Sequence, residues 1–338
     1  MENKQIVFTK PNTAELLDVD YSKPNDNEVV VKTEFSTVSC GTEKANITGD
    51  SNIAGSAAPD ATFPRMLGYS SSGYVTEKGK NVTSVEIGDR VIVYWGKHKR
   101  YNTVPEENVV KITDESISMQ EAAISFIATF PMAAIRKTRL EIGESAMVMG
   151  LGLLGQLAVR LLKAAGAVPI IAADPVPGRR DEALIGGADY VFDPLEKDFA
   201  EKVKAVTGGG VNAAIEVTGV GAGLDETLDC MARFGRVALL GCTRDKNFTI
   251  DYYKKVHFPG ITLIGAHTMA RPDFESHPGW FTHRDDINAV LKLCAGKRID
   301  LESMIKETHL PKDCTDVYTR LVNDRNFPVV VQFDWRDK

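Results

Sequence analysis

SAMVMGLGLLGQLAVRLLKAAGAVPIIAAD, residues 145–174, is the stretch that decides how this chain folds. Ala146–Met149 is a short apolar run of the kind that fills a parallel sheet buried on both faces. Gly150, Gly152 and Gly155 follow at G-x-G-x-x-G spacing. The first serves a tight turn, the second lets a pyrophosphate approach the backbone, and the third lets helix and strand pack closely. Leu154, Leu157, Ala158, Leu161, Leu162 and Ala165 then recur at helical spacing, with Gln156, Arg160 and Lys163 on the other face. Gly166 is placed to end that helix. Residues 168–173 read as a second strand, and Asp174 stands where a carboxylate binds a ribose hydroxyl. A glycine triplet alone is often only a turn. Strand, triplet, amphipathic helix and terminal acid in this order predict a dinucleotide site that includes Leu153 and Leu154, the first residues after the second glycine.

On the N-terminal side, up to about residue 115, β-branched runs are cut by glycine, proline and asparagine. Residues 5–9, Glu28–Thr37, residues 73–77 and Arg90–Tyr94 read as strands, with turns at 23–27 and at Gly88-Asp89. Such punctuation predicts a barrel-like β domain. From Met119 to His267 strands alternate with helices. Helices are expected at 180–185, 198–206 and 224–232, and strands at Tyr190–Phe192, 212–217, 236–240 and 261–266. Repeated β-α units imply a doubly wound parallel sheet with right-handed crossovers. A helix at 284–295 and a strand at 328–333 close the chain. They are expected to return to the first domain, because so short a third core would be marginal. The expected domains are therefore 1–118, 119–267 and a C-terminal return, 268–338.

At 338 residues the chain is long enough for two cores. With 43% hydrophobic and 25% charged residues, it has the composition of a soluble globular protein. A net charge of −6 with no basic cluster argues against a nucleic-acid partner. The five cysteines (40, 230, 242, 294 and 314) are scattered and lack a CxxC pair, which fits a reducing compartment and neither a disulfide framework nor a zinc knuckle. The start, MENKQIVFTK, lacks the apolar core of a signal peptide, and no uncharged apolar run reaches membrane-spanning length. A cytoplasmic enzyme with a small-molecule substrate, and no membrane partner, is expected.

A β-rich front, a glycine motif near residue 150 and a C-terminal return together resemble the medium-chain dehydrogenase/reductase superfamily, over nearly the whole chain. Local matches are Ser39-Cys40-Gly41-Thr42-Glu43, Pro64-Arg65-Met66-Leu67-Gly68-Tyr69, Val85-Glu86-Ile87-Gly88-Asp89-Arg90-Val91 and Gly235-Arg236-Val237-Ala238-Leu239-Leu240-Gly241. The resemblance implies an α/β fold: a GroES-like β-barrel catalytic domain plus a doubly wound parallel Rossmann domain. Zinc-dependent members usually carry a Cys-Gly-Ser/Thr-Asp segment, a Gly-His-Glu segment and a third Cys or Glu ligand. Here Cys40-Gly41-Thr42-Glu43 keeps the first, the second reads Gly68-Tyr69-Ser70, and the third position falls on Ser125 or Phe126. A catalytic zinc needs three protein ligands and an open position, and one thiol does not supply them. The four-cysteine lobe of many members is missing too, since residues 91–101 run on as VIVYWGKHKRY. No metal is therefore expected, although Cys40, Glu43 and His98 keep zinc in question. Gly41-Thr42-Glu43, residues 68–73 and Trp280-Phe281-Thr282-His283-Arg284 look most like a zinc-lacking subgroup similar to the bacteriochlorophyllide hydroxyethyl dehydrogenases. That pigment substrate does not follow.

By resemblance, Thr129 lies beneath the nicotinamide, Thr218-Gly219 line the cofactor groove, and Gly241-Cys242 and Ala266-His267-Thr268 present backbone groups to the carboxamide. Asp174 favours NAD, because a 2′-phosphate would face its carboxylate. Arg179-Arg180 is the counter-signal: it suits a phosphate, or, with NAD, one arginine stacks on adenine. A zinc-bound water titrates near 7 instead of 15.7, whereas a positioned acid or base contributes about 10²–10⁴-fold. A zinc-free site therefore favours an activated substrate, a carbonyl to reduce, or a relay of groups. Tyr69 fills the missing histidine's position as donor to a carbonyl, or as base if Lys44 lies close enough to lower its pKa. Thr42 matches the hydroxyl that passes the substrate proton. His98 is a rival acid/base, although Lys97, Lys99 and Arg100 around it suggest a solvated turn; His267 is another. Cys40, expected as an ordinary buried thiol, and Trp95 complete the pocket. The implied activity is zinc-independent, NAD-dependent interconversion of a secondary alcohol (a polyol, sugar derivative or other hydroxylated compound) and its ketone, in a homodimer or homotetramer paired near residues 257–260. Reduction of an activated C=C bond or quinone, and a catalytically silent dinucleotide-binding protein, are the alternatives.

Overall fold

The computed structural model describes residues 2–50, 62–242 and 247–336. The chain divides into two units, Met1–Ile127 with Ile287–Lys338, and Ala128–Asp286.

The first unit begins with an antiparallel pair, β1 (Asn3–Lys10) and β2 (Thr13–Val19). It continues through β3 (Glu28–Thr37), α1 (Cys40–Thr48), β4 (Ser70–Lys78), β5 (Arg90–Tyr94), β6 (Tyr101–Pro105) and β7 (Val109–Lys111). A long helix, α2 (Met119–Thr138), starts in this unit and ends in the second. Valines at alternate positions, Val29 and Val31 on β3 and Val91 and Val93 on β5, point one way and bury a shared core.

The second unit is a six-stranded parallel sheet built from β8 (Ala146–Met149), α3 (Leu153–Ala165), β9 (Ile170–Ala173), α4 (Pro177–Gly186), β10 (Tyr190–Phe192), α5 (Phe199–Thr207), β11 (Val211–Glu216), α6 (Gly221–Asp229), β12 (Met231–Leu239) and β13 (Thr262–Gly265). Its order, β10-β9-β8-β11-β12-β13, reverses between β8 and β11. In open α/β sheets the ligand crevice lies outside the carboxyl ends of the strands at such a switch point. After α7 (His283–Ala295), β14 (Glu307–His309), α8 (Cys314–Asn323) and β15 (Val331–Asp334) complete the first unit. Its seven-stranded sheet runs β14-β15-β3-β4-β5-β7 with β6 on β3, and β15 pairs antiparallel to β3. The α/β class expected from the sequence is the one found. No helix among the described residues is long and apolar enough to cross a membrane.

Three local expectations change. Gln156 and Arg160, placed by periodicity on the polar face of α3, are 0% and 5% exposed, because α4 covers that face. Arg160 meets Glu182 at 3.3 Å, and Gln156 donates to the carbonyls of Arg179 (2.7 Å) and Leu151 (3.3 Å). The helix expected to reach residue 232 stops at Asp229, since Met231 is buried and pairs with Val211 in the parallel ladder. The unit boundaries fall at 127 and 286 and not at 118 and 267. Residues 268–286 stay with the second unit because Arg271 and Asp286 bond to each other and to α2.

Candidate active site

Each unit carries its own cluster of candidate residues. In the second unit, β8 runs into Gly150, whose φ of 96° is the left-handed conformation that a side chain disfavours. A Cβ on Gly155 would sit 1.9 Å from the Gly150 carbonyl oxygen, so helix and turn meet only with glycine there. Gly152 is the opposite case. It is the N-cap of α3, no side chain caps the helix, and a Cβ on it would meet nothing within 4 Å. The first-turn N–H groups of Leu153, Leu154 and Gly155 thus have no side-chain cap and lie at the positive end of the helix dipole, beside the open space at Gly152, an arrangement that suits a phosphate.

Asp174, at the end of β9, is 4% exposed. Its carboxylate accepts from the N–H groups of Leu151 (2.9 Å) and Val176 (2.8 Å), and the Arg179 guanidinium lies 3.6 Å away. Arg180 instead donates to the Asp174 carbonyl at 2.7 Å and faces Asp193 at 3.6 Å. The acid is thus tied to the glycine turn whose cradle it borders.

Glu216, which sequence reading passed over, ends β11 almost wholly buried, and burial pushes its carboxyl above the usual carboxylate range. It accepts from the Thr218 N–H (2.7 Å), the Thr218 hydroxyl and the Gly219 N–H (3.3 Å), and so folds the Thr218-Gly219 turn. A Cβ on Gly241 would lie 2.3 Å from the Gly219 nitrogen, which brings the end of β12 against that turn; Cys242 next to it is exposed. The signal for Glu216 was an acid directly after the apolar run Ala213-Ala214-Ile215. Past β13, Ala266 is buried and His267 exposed, its Nδ1 accepting from the Met269 N–H at 3.2 Å. The Thr268 hydroxyl oxygen is buried with no partner in the chain. Thr129 is wholly buried, and its carbonyl accepts from Arg271 at 3.2 Å.

In the first unit Tyr69 opens onto β4. Its preceding residue, Gly68, has a φ of 107°, and a Cβ there would lie 2.0 Å from the His98 nitrogen. The Tyr69 hydroxyl bonds the Ser39 hydroxyl and lies 3.5 Å from the Thr42 hydroxyl, both at the start of α1. Trp95, whose N–H donates to the Tyr69 carbonyl (2.9 Å), and Phe126 pack on the Tyr69 ring with centroids 5.7 and 5.8 Å away.

His98 is not on a solvated turn: it is 1% exposed, although Lys97 beside it is exposed. Its Nδ1 meets the Ser36 hydroxyl at 2.7 Å and its Nε2 lies 3.2 Å from both oxygens of Glu43. Because a carboxylate accepts, Nε2 is assigned the proton. Glu43 also accepts from the Ser39 N–H (2.9 Å) and the Tyr318 hydroxyl (2.5 Å). Burial, helped by Glu43, pushes the Tyr318 phenol well above its ordinary range and keeps it a donor. His98 thus braces Glu43, and Glu43 fixes the turn that presents Ser39 and Thr42. Lys44 does not serve Tyr69 as a neighbouring cation: its ammonium donates to the Val322 carbonyl at 2.9 Å.

These donors do not fit a catalytic zinc. The Cys40 sulfur is half-buried and lies 3.8 Å from the carbonyls of Val38, Pro328 and Val329. Glu43 is spent on three partners, Tyr69 stands where the resemblance puts the second ligand, and neither Ser125 nor Phe126, where it puts the third, is a Cys, His or carboxylate. Among the described residues no three His, Cys, Asp or Glu side chains converge, and zinc needs such a set.

Residues 25–114 match the family described as alcohol dehydrogenase GroES-like domain, and residues 154–281 the family described as zinc-binding dehydrogenase. The chain is 30% identical to the L-threonine 3-dehydrogenase of Pyrococcus horikoshii over 295 residues, 77% of this chain and 81% of that protein. It is 27% identical to the D-guloside 3-dehydrogenase of Escherichia coli over 300 residues, 83% and 85% of the two chains. The structure of 2R,3R-butanediol dehydrogenase from Bacillus subtilis superposes with a TM-score of 0.80 at 22% identity, covering 98% of this chain and 99% of that one.

Proposed function

Because the chain belongs to the zinc-type alcohol dehydrogenase family, oxidoreductases acting on CH–OH donors with a nicotinamide dinucleotide, we propose that it interconverts a secondary alcohol and its ketone with NAD and without zinc. The observation that carries this is the open, uncapped N-terminus of α3 with Asp174 tied to its glycine turn. The cradle suits a pyrophosphate, and the buried carboxylate suits ribose hydroxyls and opposes a 2′-phosphate.

Bound NAD⁺ supplies the hydride acceptor. In oxidation the carbinol C–H leaves as hydride, the C=O bond forms, and the hydroxyl proton passes to the protein. Secondary alcohol and NAD⁺ thus become ketone, NADH and H⁺. Thr42 and Tyr69 are the hydroxyls assigned to that proton, with Ser39 as the next oxygen along. With Lys44 spent on Val322, Tyr69 takes the donor role, hydrogen-bonding a carbonyl oxygen as hydride arrives. Such a donor supplies far less than a metal, so the substrate must be activated. Threonine, guloside and butanediol, named in the relatives, share a secondary carbinol with a heteroatom on the adjacent carbon. That arrangement eases loss of the hydroxyl proton and makes the ketone more electrophilic, and it is the substrate class proposed here.

The test is a panel of vicinal diols, amino alcohols, sugar derivatives and their ketones with NAD(H), read by nicotinamide absorbance. Activity confined to enones or quinones would overturn the assignment. We also assign the edge strand β13, with Phe234, Tyr253 and Phe258 mostly exposed, to pairing with a second copy. Sedimentation at one-chain mass across all concentrations would exclude that.

A further inference from the structure

Ser39 is the N-cap of α1, yet its hydroxyl does not cap the helix. A serine in that place ordinarily accepts from a first-turn N–H of its own helix. Here the hydroxyl bonds the Tyr69 hydroxyl instead, while Glu43, one turn on, accepts from the Ser39 N–H at 2.9 Å. Half of a reciprocal cap is present, and the half withheld is the oxygen that meets Tyr69. The Glu43 carboxylate is wholly buried, and what holds it in place reaches back to the far end of the chain.

Trp335 follows β15, and its backbone N–H donates to the Glu34 carbonyl of β3 at 2.8 Å. Its indole Nε1 donates to the Ser36 hydroxyl at 2.8 Å. An indole nitrogen only donates, so the Ser36 oxygen accepts there and its own hydrogen is left for His98 Nδ1, 2.7 Å away. Nδ1 thus accepts, and the ring proton is assigned to Nε2, which faces both oxygens of Glu43 at 3.2 Å. Every link runs one way: Trp335 to Ser36, Ser36 to His98, His98 to Glu43. Phe333, two residues before Trp335, packs across the His98 ring with centroids 5.4 Å apart. Trp335, Ser36 and His98 are each buried, so solvent offers no ready substitute for a missing link.

We propose that Trp335 is a positioning residue for the alcohol chemistry. Through Ser36, His98 and Glu43 it fixes the start of α1, so that the Ser39 hydroxyl stays on Tyr69 and sets the direction of the phenol O–H. This rests on the Tyr69 reading above and adds to it the residue from which that geometry is held. Hydrogen bonds in such a chain polarise one another, so the loss of one donor is felt along the rest. Without the indole N–H the Ser36 hydroxyl is free to turn, and His98 Nδ1 loses the donor that fixes its tautomer.

The experiment is a double-mutant cycle on Trp335→Phe and Tyr69→Phe, read as kcat with NAD⁺ and the panel alcohol that turns over fastest. Trp335→Phe keeps an aromatic ring and loses the N–H. It should lower kcat about fivefold, the scale of one hydrogen bond, with KM and NADH affinity within about twofold. Ser36→Ala should lower kcat by at least as much. In the Tyr69→Phe background Trp335→Phe should have no further effect, because the group it positions is gone. A loss that persists at full size in that background would reduce Trp335 to packing and overturn the proposal, as would an unchanged kcat in Trp335→Phe. NMR of the histidine ring nitrogens in the free protein checks the chain without turnover. His98 is expected as the Nε2–H tautomer in the wild type, and Trp335→Phe and Ser36→Ala should both remove that fixed form. A wild-type ring protonated on Nδ1 alone would overturn the proposal. Turnover that Tyr69→Phe leaves intact, or a wild type that turns over no member of the panel, would instead refute the Tyr69 reading and this inference with it, whatever tautomer the NMR shows.

Discussion

Replacing Asp174 by serine should reverse the cofactor discrimination. The carboxylate is 4% exposed and fixed by the Leu151 and Val176 N–H groups, so it cannot swing away from a ligand on the glycine cradle. Two unit charges at about 4 Å and an effective dielectric near 20 repel by roughly 4 kcal/mol. If solvent leaves a third of that, the penalty on a 2′-phosphate is about tenfold in affinity. Removing the carboxylate lifts that penalty and frees Arg179, now 3.6 Å from it, to meet the phosphate. NADH meanwhile loses hydrogen bonds to a charged acceptor, worth about 1.5–3 kcal/mol. The two effects together should move the NADH/NADPH affinity ratio by roughly 100-fold or more. Serine is chosen because its hydroxyl can still accept from the Val176 N–H as a local turn. Fluorescence titration of both nucleotides at two ionic strengths is the assay, and the NADPH gain must shrink as salt rises. A wild type that prefers NADPH, or a ratio that Asp174→Ser leaves unchanged, would refute the placement of this carboxylate at the ribose.

Three further outcomes are expected. Tyr69→Phe should lower kcat by about 10²-fold or more with NADH binding unchanged; stopped-flow and titration separate the two, and unaltered turnover would remove Tyr69 from the chemistry. Gly155→Ala puts a Cβ 1.9 Å from the Gly150 carbonyl oxygen. It should therefore cost about 1–3 kcal/mol of stability in urea unfolding and weaken NADH as well, whereas an unchanged midpoint would contradict the close packing. His283 is partly buried with both ring nitrogens out of solvent, and that desolvation, with Arg271 nearby, holds its imidazole down at about 3. The neutral form is thus favoured in the fold, and its contribution is present above the unfolded value near 6.5. As pH falls from there toward 3, only the unfolded chain takes up the proton, and stability drops by up to about 1.4 kcal/mol per unit. The His283→Gln variant should flatten that slope between pH 6.5 and 5, and parallel curves for the two proteins would oppose the assignment.

The dinucleotide half was legible because its determinants are local. A turn needing positive φ at Gly150, a close approach at Gly155 and an acid ending a four-residue strand are all written within one βαβ unit. What escaped depends on partners far along the chain. His98 sits among lysines and an arginine, yet it turns inward because Gly68 admits its backbone and Glu43, 55 residues away, receives its ring. Glu43 in turn is held by Tyr318, 275 residues on. Arg271 reads as an ordinary loop arginine until Thr129, 142 residues earlier, takes one of its hydrogens. Gln156 and Arg160 have a polar pattern that periodicity assigns outward, and only the packing of α4 buries them. Lys44 fails as the neighbour of Tyr69 for the same reason: its partner, Val322, lies at the end of α8.

The most direct test of hydroxyl-based chemistry at Tyr69 and Thr42 is turnover of the identified alcohol with NAD⁺ before and after exhaustive chelation. Metal content should be measured by mass spectrometry on the same samples. An unchanged rate in protein stripped of metal is the predicted result. A rate that disappears with the metal and returns on adding Zn²⁺ would contradict it.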